Sequence, residues 1–216
     1  MTQTRGSAVA MPLPARYPLQ RFQQWEVHSL AEAHDFATRN FPRMLDLEHL
    51  PGSREFYMRD ASLTLGELKL MCVSSIGHRI RLADDERVGL LSPVSGNIAV
   101  DNGHGEAAAR PGELLIPGLG TRTTTVSAGY VGLVLLIPRD AIEGQLRQTG
   151  TAGLDRLRWT DGRSEAADNL HDYLGFLVGE LDRGGTLARM PTARRSAGAL
   201  LVDHLAALVL EHDPAP

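Results

Sequence analysis

The run Ala109-Arg110-Pro111-Gly112-Glu113-Leu114-Leu115-Ile116-Pro117-Gly118 sets a four-residue apolar stretch between two Pro-Gly turns. Proline fixes φ and glycine reaches conformations that other residues avoid, so each pair marks a chain reversal. Punctuation of this kind suits one short strand of a closed, turn-dense β structure. The same pattern runs from Leu45 to Ile137. Strands are expected near 45–49, 54–61, 65–74, 77–83, 87–94, 96–101, 105–109, 113–116, 121–127 and 130–137. Asn102-Gly103 is a tight-hairpin signal between two of them. Short strands at such even spacing predict a barrel or sandwich, not an α/β alternation.

Helical patterns flank this region. Residues 1–20 mix Gly, Ser, Pro, Thr and Ala and read as a flexible arm; Phe22 to Trp25 is apolar enough to dock. A helix is expected from Ser29, with Glu32 three residues on as its capping partner and Pro42 as its stop. Beyond the strands, helices are expected over 138–150, 164–182 and about 192–212, with Ser164 as a cap and Leu170, Leu174, Leu177 and Leu181 as an apolar stripe. The organisation is therefore an arm (1–20), a barrel with its leading helix (21–137) and a helical region (138–216).

Composition narrows the function classes. A chain of 216 residues, 43% hydrophobic and 22% charged, can bury a real core. Its net charge of −4 provides no general attraction to nucleic acid or to an anionic membrane. Lys69 is the sole lysine among 22 basic residues, a skew that fits a GC-rich bacterial genome. Cys72 stands alone in an apolar setting, so no disulfide framework exists and the thiol is expected to be buried and inert. No signal-peptide pattern and no membrane-length apolar run appear, and a cytoplasmic protein is expected.

The Pro111-Gly112…Ile116-Pro117-Gly118 run resembles the second motif of cupin jelly rolls, in which a metal-binding histidine follows. That place falls here in Thr121-Arg122-Thr123, none of which is a usual transition-metal ligand. Other landmarks follow in order: Phe41-Pro42-Arg43, Ser75-Ile76-Gly77, Leu90-Leu91-Ser92-Pro93-Val94-Ser95-Gly96, Arg110-Pro111-Gly112 and Leu135-Leu136-Ile137-Pro138-Arg139. Together they resemble the effector-binding and dimerisation domain of AraC/XylS-type transcription regulators. The resemblance implies a cupin-like jelly-roll barrel flanked by an N-terminal helix and a C-terminal helical hairpin. It further implies a small-molecule effector, a homodimer, and DNA contact only through a helix-turn-helix domain that this stretch of sequence lacks. A truncated sensor is the expectation, with a stand-alone sensor that lost its DNA reader as the other case. The alternatives are a metal-dependent cupin enzyme (an isomerase or dioxygenase) and a ligand-free dimerisation domain.

Polar residues on apolar strands are the effector-contact candidates. Alternation puts His78, Ile80 and Leu82 on one face and Arg79 and Arg81 on the other, so His78 is expected inside. Tyr57 and Arg59 share a face; one provides a ring and hydroxyl, the other a fork of donors for a carboxylate. Arg122 stands at the lost metal-ligand position and can bind an anionic effector, and Trp25 can close over a pocket. The remaining histidines have no metal spacing, and no nucleophile elbow, paired carboxylates or phosphate loop is found, so no metal, cofactor or catalysis is expected. Leu200, Leu201, Leu205, Leu208 and Val209 lie on a helix apolar round much of its circumference and are the dimer-interface candidates.

Overall fold

Two antiparallel sheets of five strands face each other, and one of them carries helices on its back. The computed structural model describes residues 17–50, 56–84, 86–148, 154, 159–160 and 164–212. In chain order these form β1 (Gln23–Val27), α1 (Leu30–Asn40), β2 (Met44–His49), β3 (Met58–Leu65), β4 (Leu68–Ser75), β5 (His78–Asp84) and β6 (Arg87–Ser95). Next come β7 (Ile98–Asp101), β8 (Glu106–Ala109), β9 (Ile116–Pro117), β10 (Gly120–Val126) and β11 (Tyr130–Pro138). The chain ends with α2 (Arg139–Gln148), β12 (Trp159–Thr160), α3 (Glu165–Arg183), α4 (Thr186–Arg189) and α5 (Pro191–His212). One sheet has the order β1-β3-β4-β11-β6 and the other β2-β5-β10-β7-β8, with a small ladder between β9 and β12.

Why the first sheet is apolar on both faces is clearest in β11. Val131, Leu133, Leu135 and Ile137 point to the helices, while Tyr130, Val134 and Leu136 point to the second sheet. A strand covered on both sides loses its alternation and becomes a continuous apolar run. Two cores result: one between the first sheet and α2, α3 and α5, the other inside the sandwich.

The helices begin and end where their caps dictate. Ser29 Oγ accepts the Glu32 N–H at 3.2 Å, and Glu32 Oε2 accepts the His28 N–H at 3.0 Å, closing a capping box on α1. Ser164 Oγ accepts the Ala167 N–H at 3.2 Å on α3, which Gly184 terminates at φ 72°. Helix α5 crosses so near the sheet that a Cβ on Gly198 would fall 2.2 Å from the Leu65 carbonyl oxygen.

Several expectations need correction. The strands expected at 54–61 and 65–74 run instead as β3 and β4, because the reversal uses Gly66 and Glu67; residues 51–55 lie outside the described residues. The loop at Asn102-Gly103 has four residues, not two, with Asp101 paired to Glu106. Phe22 to Trp25 does more than dock, since residues from Gln23 form an edge strand. Most of the arm, residues 1–16, lies outside the described residues, but Tyr17 and Leu19 are buried and belong to the helix-side core. Tyr17 Oη donates to the Cys72 carbonyl at 2.8 Å, and Asp182 accepts the backbone N–H groups of Leu19 and Gln20.

The dimer candidates also change. Leu201, Leu205, Leu208 and Val209 are buried within the chain's own core, and only Leu200 is exposed. The second partner that so apolar a helix requires is found in the same chain: α2, α3, α4 and β3 surround α5.

Candidate functional site

A cavity of about 80 Å³ lies between the sheets. Inward-facing residues of β5 and β10 form one wall, and those of β3, β4, β6 and β11 form the other. Phe36, Ala37 and Phe41 of the α1 segment cover it. The walls are aliphatic apart from a few polar groups, which is the usual form of a small-molecule site. Antiparallel register arranges those groups in rows: Arg122 pairs with Leu82, Thr124 with Ile80, and Val126 with His78.

Arg122 is 4% exposed, and its Nη2 lies 4.0 Å from where a Cβ on Gly89 would be. A glycine in the middle of β6 thus leaves room for a guanidinium inside the barrel. A buried arginine stays charged, because its pKa is too high for burial to neutralise it.

Four residues along, at about 3.3 Å per residue, is a second polar row roughly 13 Å away. His78 is 6% exposed, and its Nδ1 lies 2.8 Å from Ser75 Oγ. Burial, and secondarily the neighbouring His49, pushes the His78 pKa down to about 4, so the ring is neutral at pH 7. Ser75 Oγ also accepts the Gly77 N–H at 3.2 Å. Tyr130 is 1% exposed, lines the cavity, and has no hydrogen-bond partner for its hydroxyl among the described residues.

Helix α1 is fastened over this space at its C-terminal end. Lys69 Nζ donates to Asn40 Oδ1, and Arg87 donates to the Asn40 carbonyl at 3.0 Å while lying 5.9 Å above the Phe41 ring. Cations at a helix C-terminus are favoured by the dipole. Asp60, on β3 opposite Trp25, is 1% exposed. Burial raises its pKa to about 7, with the Lys69 charge opposing the shift.

The family model described as the AraC-binding-like domain matches residues 33–206. The chain belongs to this family. Among solved structures, this AraC-binding-like domain is similar to the AraC-like transcriptional activator CuxR, with a TM-score of 0.66 at 13% identity. The alignment covers 87% of this chain and 70% of that one. Identity at that level speaks for the fold alone. Fainter likenesses are to KdgF from Halomonas sp. (TM-score 0.34, 17% identity, 44% of this chain and 88% of that one) and to the Schizosaccharomyces pombe Cnp3 cupin domain (0.34, 17%, 46% and 72%). No curated protein matches in sequence.

Of the residues singled out from the sequence, the AraC-binding-like domain brings His78 and Arg122 together on one cavity. Tyr57, Arg59 and Trp25 lie outside it. The parity of β3 decides this: Met58 faces the cavity, so Tyr57 and Arg59 face the other way. Arg59 instead lies 4.7 Å above the Tyr17 ring and donates to Gln24, and the Tyr57 ring stands 5.5 Å from that of His28. Trp25 is 39% exposed and braces α1 from outside, its ring 6.0 Å from Phe36 and beneath Arg39. Tyr130, Gly89 and the α1 residues were missed. The Tyr-x-Gly spacing at 130 and 132 was the available signal for the first.

No three His, Cys, Asp or Glu side chains among the described residues are grouped to hold a metal ion. Cys72 is buried on the helix side, and burial lifts its pKa to about 12. No helix among the described residues is long and apolar enough to cross a membrane.

Proposed function

We propose that this chain is the effector-sensing part of an AraC-type transcription regulator, acting in the cytoplasm by binding and not by turnover. One observation carries the reading: a family member with a lined cavity inside its barrel, closed by a helix that an occupant must touch. Buried Arg122 makes a small anionic molecule the favoured effector. By the measure that one water needs about 10–15 Å³, the cavity of about 80 Å³ takes about five to eight non-hydrogen atoms. An effector seated against Phe36 and Phe41 stabilises one placement of α1 over others, and that population shift is the signal passed to a DNA-reading partner domain.

A homodimer belongs to the same reading, with its face reassigned. Phe176 is 57% exposed and Leu200 49% exposed, and Tyr173 joins them, stacking on Phe176 and donating to the Ala197 carbonyl at 3.4 Å. We place self-association on this α3–α5 surface.

A thermal-shift screen of the purified chain against small carboxylates, aromatic acids, sugars and lipids tests the sensing role. A saturable rise in melting temperature with one class is the expected result. A flat response across the whole library would sink the reading and leave a filled barrel whose role is structural.

A further inference from the structure

Helix α1 joins the two sheets. It follows β1 of the first sheet and leads, through Phe41-Pro42-Arg43, into β2 of the second. Of the residues that this segment turns to the cavity, Phe36 and Ala37 are buried, whereas Phe41 lines the cavity and is also partly exposed. A ring that reaches both the cavity and solvent marks the place where the wall is thinnest.

The same place is tied back to the first sheet. Lys69 of β4 and Arg87 of β6 stand on either side of β11, in register with Leu136 and Pro138. Both donate to Asn40, Lys69 Nζ to its side-chain Oδ1 and Arg87 Nη1 to its carbonyl at 3.0 Å. The Arg87 guanidinium also lies 5.9 Å from the centre of the Phe41 ring. Asn40 Nδ2 in turn donates to the Phe36 carbonyl at 3.0 Å, so the side chain is fixed to the helix that it fastens. This tie is built to part. Partial burial lowers the Lys69 pKa, the Asp60 charge opposes that shift and the Arg87 charge adds to it. Two like charges that converge on one neutral residue repel each other, so they hold the helix without locking it.

We infer that Asn40 is the clasp of the cavity: while it holds Lys69 and Arg87, Phe41 closes the barrel, and its release lets the C-terminal end of α1 swing outward and admit the effector. The pivot is the N-terminal end, because the Ser29–Glu32 capping box and the β1–β3 pairing stay intact when Asn40 lets go. The inference rests on the sensing reading only for what enters; the gating is a property of the chain alone.

The test traps a thiol inside the cavity of the whole chain. Val134→Cys places a sulfhydryl on the cavity wall, while native Cys72, on the other face of the same sheet, is buried in the helix-side core and reports opening of the whole fold. The reagent is methyl methanethiosulfonate, small enough for a cavity of about 80 Å³; the thiolate takes its methylthio group and methanesulfinate leaves. Where opening and reclosing outpace this reaction, the labelling rate follows the open population. Asn40→Ala removes the Lys69 tie and is expected to raise labelling of the introduced thiol about tenfold, with Cys72 unchanged within about twofold. Arg87→Met removes the other tie and the contact with Phe41, and is expected to act in the same direction. Mass spectrometry of the two thiol-bearing peptides reads both rates. If Asn40→Ala fails to fold, Arg87→Met decides alone. An unchanged rate at the introduced thiol overturns the clasp and leaves the sensing reading standing. Equal acceleration of both thiols overturns it too, since the whole fold has then loosened. Labelling at the rate of a free thiol before either tie is cut would show that Asn40 closes nothing. A flat result in the broad ligand screen removes the sensing reading and leaves the gating result as it stands.

Discussion

The Tyr130 hydroxyl lies directly over Gly132, two residues along the same strand: a Cβ on that glycine would be 2.0 Å from Oη and 2.4 Å from Cζ. The phenol thus runs along its own strand inside the barrel instead of standing away from it. Strand β11 gives up a side chain at 132 to seat a polar group within an apolar core.

The cost of that arrangement can be measured on both residues. Gly132→Ala forces the ring out of its seat and is expected to destabilise the fold by about 1–3 kcal/mol, as overpacking does. Tyr130→Phe keeps the ring and deletes a buried hydroxyl that has no partner among the described residues, and is expected to stabilise the unliganded protein by about 1 kcal/mol. Chemical denaturation of the two variants checks both signs. A loss of stability in Tyr130→Phe would show that the hydroxyl is satisfied.

A contrasting glycine stands at the other end of the cavity. A Cβ on Gly89 would meet Pro117 Cγ at 3.8 Å and Arg122 Nη2 at 4.0 Å, both ordinary contacts. Gly89→Ala is therefore expected to change stability by less than about 1 kcal/mol, since alanine also suits a strand interior. The added methyl occupies space beside the guanidinium, so carboxylate binding should weaken severalfold. Arg122→Gln, which removes the charge, should weaken it by tenfold or more. Titration of one carboxylate probe against both variants checks the pair; unaltered affinity in Arg122→Gln would move the anion site elsewhere.

What was legible in the sequence follows from how local the signals are. Turn residues act on their own few neighbours, so Ser29 and Ser164 placed helix starts, whereas the strand expected at 113–116 between the two Pro-Gly turns is only the two-residue β9 at Ile116–Pro117. Period-two alternation put His78 inside correctly, because Ile80 and Leu82 name the apolar face. The same reasoning failed on β3, where both faces are covered: Arg59 meets Tyr17 of the arm, Tyr57 meets His28, and neither lines the cavity. It failed on α5 for a related reason: an apolar circumference says that partners exist but not whether they belong to the same chain. Tyr17 escaped notice because a single anchoring side chain leaves no periodicity to detect.

Helix α5 separates core leucines from surface ones within one turn. Leu205 is fully buried, and Leu205→Ala is expected to cost about 2–5 kcal/mol. Leu200 is half exposed, and Leu200→Glu should change monomer stability by no more than about 0.5 kcal/mol. The second substitution should nevertheless weaken self-association, by placing a charge on the proposed α3–α5 face. Sedimentation equilibrium of the wild type, Leu200→Glu and Phe176→Ser decides it. A dimer of undiminished affinity in both variants would reassign the interface.

The two buried titratable groups of the sandwich make opposite demands on pH. His78 has a folded pKa of about 4, below its ordinary 6.5, so its contribution is complete above 6.5 and is lost as pH falls toward 4. Asp60 has a folded pKa of about 7, above its ordinary 3.8, so its contribution is complete below 3.8 and is lost as pH rises through 7. Between pH 4 and 6.5 the slopes oppose each other, and above 6.5 only that of Asp60 remains. Asp60→Asn removes one of them. Relative to wild type, the variant should gain stability steadily from pH 4 to 8, by a few kcal/mol at the upper end, and its own curve should fall toward acid as His78 becomes protonated. Taking the difference between variant and wild type at each pH cancels the surface carboxylates, which titrate alike in both proteins. A difference that stays constant across this range would mean that Asp60 ionises at its ordinary pKa, and hence that water or a cation reaches it beneath α1.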